Sequence, residues 1–217
     1  MGSRVPGALL AIALAAAMGP GTAAGQINVG AVLGLSRSNL SGDQPDKVSY
    51  STRTGLVAGA VIEIPVATSV RLVFQPGYEQ RGAKLGYDTG EAEPVDSGSV
   101  ALDYVSMPVL VKILANNGWL YFTSGLDFGY LASATLTEGT SESDISDLVK
   151  SFDIAVIFGA GGLIPIGRPS LMLEARYNQS LNNLNDALTL PTSLPARFRT
   201  SGLQFLAGIL LPLGGGR

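Results

Sequence analysis

The sequence contains neither cysteine nor histidine, and only 14% of its 217 residues are charged. Without these two residue types it can form no disulfide, no Ser–His or Cys–His nucleophile and no ordinary zinc site. A pair of Asp or Glu side chains could still act as acid and base, but no pair is set apart from the others. We therefore predict that the protein is not an enzyme and that it carries no cofactor.

Long apolar runs are also missing after the first two dozen residues. Hydrophobic residues make up 46% of the chain, yet no run approaches the roughly 18 apolar residues of a membrane-spanning helix. The start of the chain differs, because Arg4 precedes an apolar stretch from Ala8 to Met18 and the small residues 22–24. This pattern predicts a signal peptide over residues 1–24, with a buried N-terminal helix as the alternative. One domain, residues 25–217, would then remain. Without Arg4 the formal charge changes from −3 to −4, which gives no indication of nucleic-acid binding.

From residue 26 onward, apolar and polar residues alternate with a period of two in eight runs, which indicates β-strands. The links between the runs alternate in length. Short links lie at residues 66–69, 115–118 and 167–169, and long polar links at 37–52, 82–100, 135–150 and 182–196. Short turns at one end and long loops at the other are typical of outer-membrane barrels. The sequence therefore predicts an all-β fold, an eight-stranded antiparallel up-and-down transmembrane β-barrel with four extracellular loops.

Charged residues within the runs lie mostly on the face opposite the large apolar residues. Five acids share that face: Glu63, Glu79, Asp127, Asp153 and Glu174. A charge facing lipid at mid-membrane would cost about 2–4 kcal/mol for Arg or Lys, so this face should point into the barrel. Glycines such as Gly159 lie on the same face, where an eight-stranded interior leaves little space. Their alternative role is to form bulges or bends.

Two groups of residues are candidate sites. The first is a charge cluster predicted in the lumen close to the short turns, formed by Glu63, Arg71, Lys112, Glu174 and Arg176. It could provide ion selectivity or gating, or it could only pack and neutralise itself inside a closed barrel. The second lies in the long link 135–150, where a divalent cation or a partner could bind to Glu138, Glu142, Asp144 and Asp147. The alternative for this second group is a solvated loop without a ligand.

Several short motifs resemble a known family. They are EIPV at residues 63–66, FQPGYEQRGAKL at 74–85, LDYVSMPVLVK at 102–112 and LEARY at 173–177. Together they resemble the bacterial outer-membrane β-barrel domain proteins often labelled porin-family or PorT-like. The resemblance implies a small barrel in the outer membrane of a Gram-negative-type bacterium. The family often has an acid where this chain has Ser106, which implies that Lys112 has a different partner here.

The resemblance implies a location more than a biochemical role. We expect a structural or interaction scaffold with a lumen filled by side chains, embedded in outer-membrane lipid and offering its loops to an envelope or extracellular protein. A narrow solute pore is one alternative, although eight strands usually fill their interior. A soluble, lipocalin-like barrel that binds an apolar ligand is the other.

Overall fold

A computed structural model describes residues 26–42, 48–87, 95–116, 118–185 and 197–213. The predicted signal peptide, residues 1–24, lies outside these ranges. The strands are β1 (Ile27–Gly42), β2 (Val48–Ala67), β3 (Val70–Phe74), β4 (Gly77–Tyr87), β5 (Val95–Leu114), β6 (Leu120–Glu138), β7 (Ser141–Asp144), β8 (Phe152–Pro165), β9 (Ser170–Ser180) and β10 (Phe198–Leu213). A short 3-10 turn spans Ser146–Leu148. The described ranges contain no helix that could serve as a membrane span.

The strands close into an antiparallel ring. Successive strands of the ring pair with one another, and β1 pairs with β10 from Ile27–Leu213 to Gly42–Phe198. Strands β3 and β4 together form the third strand of the ring, interrupted at Gln75 and Pro76 because proline has no N–H to donate to a ladder. Strand β7 pairs only with β6 and lies outside the ring. The predicted eight-stranded antiparallel barrel is confirmed.

Across the middle of the barrel, most large apolar side chains point outward and the charged side chains point into the lumen. Leu33 is 68% exposed and Phe122 is 65% exposed, whereas Glu63 and Lys112 are buried. On β5 the outward positions from Val105 to Ile113 are apolar, which matches the ~9–11 residues that a tilted strand needs to cross a bilayer. A water-soluble barrel has the opposite arrangement, so the outer surface of this one is suited to lipid.

The strands extend further than the sequence predicts at the end that carries the long links, here called the loop end. Three of the long links were predicted too long: 37–52, 82–100 and 135–150. In the structure β1 continues to Gly42, β4 to Tyr87 and β6 to Glu138. We call the band of outward apolar side chains, such as Val105 to Ile113 on β5, the apolar belt. Beyond this belt the two faces exchange character, so that the inward side chains are apolar and the outward ones are polar. Buried apolar side chains of this region include Leu40, Leu85, Leu102 and Leu136, and exposed polar ones include Arg37, Lys84 and Thr54. Six of the strands therefore continue with their apolar side inward, as in a barrel surrounded by water.

Strand lengths agree with this division. The longest strands, β2 and β5, have 20 residues each. At about 3.3 Å per residue and a tilt near 45°, such a strand rises roughly 47 Å, against a hydrocarbon core of about 30 Å. The opposite end, here called the turn end, has short connections such as Thr68–Ser69 between β2 and β3. The surplus length therefore lies at the loop end.

Candidate functional site in the lumen

Glu63 is the centre of one group of ion pairs near the turn end. Its carboxylate pairs with the Lys112 ammonium and with Arg71 Nη1 at 3.2 Å, and it accepts a hydrogen bond from Asn28 Nδ2 at 3.1 Å. The four residues come from β1, β2, β3 and β5, so these contacts tie separate strands together. Lys112 therefore has an acid partner although Ser106 occupies the position where the family often has one.

Glu174 and Arg176 form a second ion pair. Glu174 also accepts hydrogen bonds from the hydroxyls of Tyr121 at 2.7 Å and Thr123 at 2.9 Å. Arg176 Nη2 donates to Gln75 Oε1 at 2.6 Å. These groups are all buried in the interior, with their polar atoms directed at one another.

Tyr121 connects the two ion pairs into one unit. Its hydroxyl donates to Glu174, and the Lys112 Nζ lies 4.2 Å from the centre of its ring, a distance at which a cation–π interaction is favourable. The structure thus brings together all five residues of the predicted lumen cluster, which we call the turn-side ion cluster (Glu63, Arg71, Lys112, Glu174 and Arg176). What the cluster does stays a prediction.

A separate ion cluster surrounds Arg81, closer to the loop end. Its guanidinium pairs with Glu79 at 2.8 Å, with Asp153 at 2.8 Å and with Asp127. The face of the Tyr104 ring lies against the same guanidinium, with its centre 4.9 Å from Cζ. We call Glu79, Arg81, Asp127 and Asp153 the loop-side ion cluster. Three carboxylates share one cation there, which leaves a formal excess of two negative charges.

Neutral side chains complete the loop-side ion cluster. Glu79 accepts hydrogen bonds from Asn178 Nδ2 at 3.0 Å and Gln204 Nε2 at 2.7 Å, and Asp153 accepts one from the Ser180 hydroxyl. The three acids were predicted to face the interior, but Arg81 was not included in the predicted lumen cluster. A usable signal was present, because Arg81 has the same strand parity as Glu79 and Arg71.

Little space remains between the two clusters. A cavity bordered by Gln75, Glu79, Arg176 and Gln204 has a volume of about 10 Å³, which is close to the minimum for one water molecule. Glycines make this packing possible on the neighbouring wall. A Cβ on Gly161 would lie 2.4 Å from the Tyr121 ring, and one on Gly159 would lie 2.9 Å from Arg176 Cγ. The role of these two glycines is therefore to make room for side chains.

Above the loop-side ion cluster, the interior is filled by apolar side chains. They form one buried cluster: Leu40, Tyr50, Ala83, Leu85, Val100, Leu102, Tyr104, Leu131, Ala134, Leu136, Ile145, Val149, Leu184 and Phe198. Six of the strands contribute to it, together with the segment that follows β7 and the residues after β9. In the part of the barrel that the structure describes, side chains therefore occupy the lumen from the turn end to the loop end.

The acids of the second predicted site lie on an exposed hairpin and the turn after it. Glu138 and Glu142 are on the β6–β7 hairpin, Asp144 ends β7, and Asp147 is in the 3-10 turn. Hydrogen bonds from the Ser146 side chain and backbone N–H lower the pKa of Asp144. Among the described residues, no group of three or more acids is arranged to hold a metal ion. A partner site on this hairpin stays a prediction.

Comparison with known proteins points to the same architecture. A family model described as outer membrane protein beta-barrel domain matches residues 18–186. No match was found among curated proteins.

Solved structures with a similar fold are outer-membrane barrels. Neisserial surface protein A is 13% identical, with a TM-score of 0.47 over 86% of this chain and 97% of that one. Ail of Yersinia pestis is 15% identical, with a TM-score of 0.43 over 86% and 99%. The protease OmpT of Escherichia coli is 8% identical, with a TM-score of 0.41 over 87% and 97%. Similarity at this level transfers no activity or ligand.

Proposed function

The chain belongs to the outer membrane protein beta-barrel domain family, and from that premise we propose that it is a closed, non-catalytic scaffold that offers its loop end to partner molecules. The barrel lies in the outer membrane of a Gram-negative bacterium, which excludes the soluble, lipocalin-like alternative. We also propose that residues 1–24 are the signal peptide that directs its export, and that four loops extend from the loop end.

The observation that carries this proposal is the filled lumen. Two ion clusters and a layer of apolar side chains follow one another along the barrel axis, and the cavity between the clusters holds about 10 Å³. A solute would have to displace buried ion pairs, and separating such pairs inside a protein is costly. This favours a closed barrel over the narrow pore. The lack of histidine and cysteine supports a non-catalytic role.

The extended loop end supports a role in interactions. The ring rises beyond the apolar belt with polar side chains outside and apolar ones inside, which places a rigid surface above the lipid. The β6–β7 hairpin projects from this surface with four consecutive exposed residues, Ser141–Asp144. Rigid strands hold a binding surface at low entropic cost, which is an advantage for a scaffold.

Conductance across a planar lipid bilayer tests whether the barrel is closed. We expect the purified wild-type protein to insert without stepwise conductance. A variant that removes the loop-side ion cluster, Glu79→Ala with Arg81→Ala and Asp127→Ala, should also stay closed if it folds, because the turn-side ion cluster and the apolar layer still block the lumen on either side of it. Folding is checked by the difference in electrophoretic mobility between boiled and unboiled samples. Steady, ohmic steps from the wild-type protein would establish the pore instead.

Site-specific photo-crosslinking on intact cells tests the interaction role. A photoreactive amino acid at Glu142, on the exposed hairpin, should form a discrete adduct with an envelope or extracellular component. The matched control is the same amino acid at Arg168, which lies in the exposed turn between β8 and β9 at the turn end. Equal adducts at both positions, or none at Glu142 or at other loop-end positions, would contradict the proposed scaffold.

A further inference from the structure

One wall of the barrel carries exposed arginines at its loop end. Arg37 on β1 and Arg199 on β10 point outward, and Arg197 directly precedes β10. Among the described residues, none of these three guanidinium groups has an ion-pair partner. The exposed acids of the described loop end lie elsewhere, on the β6–β7 hairpin and the turn after it. Among the residues that the structure describes, positive charge is therefore concentrated beside the β1–β10 pair.

The register of β1 and β10 places these arginines directly above an apolar ladder. The outward pairs from the loop end downward are Ser41–Arg199, Asn39–Ser201, Arg37–Leu203, Leu35–Phe205 and Leu33–Ala207. The side chains change from polar and basic to apolar within one step of the ladder. Arg37 and Arg199 lie four residues apart along the strands, or about 13 Å at 3.3 Å per residue. This step marks the loop-end border of the lipid-facing belt.

A groove runs down the apolar part of this wall. It has a volume of about 480 Å³ and is lined on the outer face by Leu33, Leu35, Leu173, Ala175, Phe205 and Ala207. The groove forms because Ala175 and Ala207 are small and their neighbours across the ladders are large: Phe205 pairs with Ala175, and Leu173 pairs with Ala207. A depression of this shape on a lipid-facing wall can hold a hydrocarbon chain.

A second, polar pocket lies at the top of the same wall. It has a volume of about 360 Å³ and is lined by Ser41, Gly42, Asn183, Arg197, Phe198 and Arg199. Two guanidinium groups and an asparagine amide give this pocket several hydrogen-bond donors. Arginine binds phosphate oxygens through two parallel hydrogen bonds, so the pocket has the donors that a phosphate group requires.

We propose that this wall binds an anionic outer-leaflet lipid, one whose phosphate-bearing head group carries a net negative charge. Its acyl chain lies in the groove between Leu33 and Phe205, and its phosphate oxygens contact Arg37, Arg199 and the polar pocket. Toward the loop end, the apolar groove is followed by the arginines and the polar pocket, as the tail of a lipid is followed by its phosphate head group. The proposal is independent of whether the lumen is closed.

Fluorescence quenching by brominated lipid tests the proposal. The chain has one tryptophan, so Trp119→Phe gives a dark background in which single reporters can be placed. Phe205→Trp reports on the groove. Phe128→Trp is the matched control. Its side chain also points outward, two residues from the lipid-facing Tyr130, and its strand β6 is three strands away from β10 around the ring. Both are reconstituted in phosphatidylcholine vesicles with a few mole per cent of brominated phosphatidic acid.

We expect the brominated phosphatidic acid to quench the groove reporter at least about threefold more strongly than the control reporter. Arg37→Gln with Arg199→Gln should abolish this preference, while Lys84→Gln with Lys150→Gln, which removes the same charge elsewhere at the loop end, should preserve it.

Equal quenching of both reporters would overturn the proposal, since the lipid would then only surround the barrel. Brominated phosphatidylcholine quenching the groove reporter as strongly would also overturn it, because the head group would not be recognised. A dimer that shields this wall, detected by native mass spectrometry, would do the same.

Discussion

The two ion clusters in the lumen differ in how their charges are balanced. The turn-side ion cluster holds three cations and two carboxylates, and one of the cations, Arg71, has a side chain 24% exposed to water. The loop-side ion cluster holds three carboxylates around a single arginine, and each of its ion-paired side chains is at least 98% buried. One cluster therefore distributes its charge over several pairs, while the other depends on one guanidinium. This difference predicts that the loop-side ion cluster is more sensitive to mutation.

The largest effect is expected for Arg81→Met. The substitution leaves Glu79, Asp127 and Asp153 close together without a cation, and removing one partner of a buried ion pair typically costs about 3–5 kcal/mol. The free energy of unfolding in lipid vesicles, measured by urea titration, should fall by this amount at neutral pH. A loss below about 1 kcal/mol would show that the cluster does not depend on Arg81.

The same variant should regain stability as the pH is lowered. Protonation removes the repulsion among the three carboxylates, which are no longer compensated, so the difference from the wild-type protein should shrink with falling pH. Urea titrations of both proteins at neutral and acidic pH check the sign. A difference that grows toward acidic pH would contradict the assignment of excess negative charge to this cluster.

A smaller loss is expected for Arg176→Met in the turn-side ion cluster. Glu174 keeps its hydrogen bonds from Tyr121 and Thr123, so its charge stays partly compensated when the guanidinium is removed. We expect a decrease of about 2 kcal/mol in the free energy of unfolding, measured by the same titration. If this variant were less stable than Arg81→Met, the comparison between the clusters would be reversed.

Arg71→Met should have a still smaller effect. The Arg71 side chain is partly exposed, and Glu63 keeps Lys112 as a partner. Ion pairs within reach of water contribute below about 1 kcal/mol, so the melting temperature should decrease only slightly. Unchanged melting for both Arg71→Met and Arg176→Met would disprove the pairing in this cluster.

The smallest effect is expected outside the membrane, at Asp144. Hydrogen bonds from the Ser146 side chain and backbone lower the pKa of this carboxyl, so the charged form stabilises the end of the β6–β7 hairpin. This contribution is present above the ordinary carboxyl pKa and is lost as the pH falls through the lowered value. Asp144→Asn should therefore exchange its hairpin amides faster than the wild-type protein at neutral pH and equally fast in strong acid, by hydrogen-exchange mass spectrometry.

The strand number and the two faces could be predicted from the sequence because the lipid-facing belt has a strict period of two. The extension at the loop end could not, because the belt ends there and the phase reverses. Asp103, for example, has the parity of the lipid-facing residues, and its neighbour Leu102 is buried in the interior. A search that expects apolar residues at every second position ends the strand where the two faces exchange character. It therefore assigns the rest of the strand to a loop.

The candidate site was only partly predictable for a related reason. Nearness to a short turn indicates which charges of neighbouring strands lie at a similar height, and this was sufficient for Glu63, Arg71 and Lys112. Arg81 contacts Asp127 and Asp153 across the lumen, on strands that do not pair with its own. Contacts across a barrel depend on its diameter and on the stagger of its strands, which the pattern along one strand does not contain.

A cysteine scan along β10 tests the central claim, an inverted barrel with a filled lumen, most directly. The chain has no cysteine, so spin labels can be attached singly at Leu203, Gln204, Phe205 and Leu206 in lipid bilayers. We expect labels at Leu203 and Phe205 to be relaxed by oxygen, which concentrates in lipid, and labels at Gln204 and Leu206 to be reached poorly by both oxygen and a water-soluble nickel chelate. Strong relaxation of the inward labels by the nickel chelate would contradict a filled lumen, and strong relaxation of the outward labels by it would contradict the membrane barrel itself.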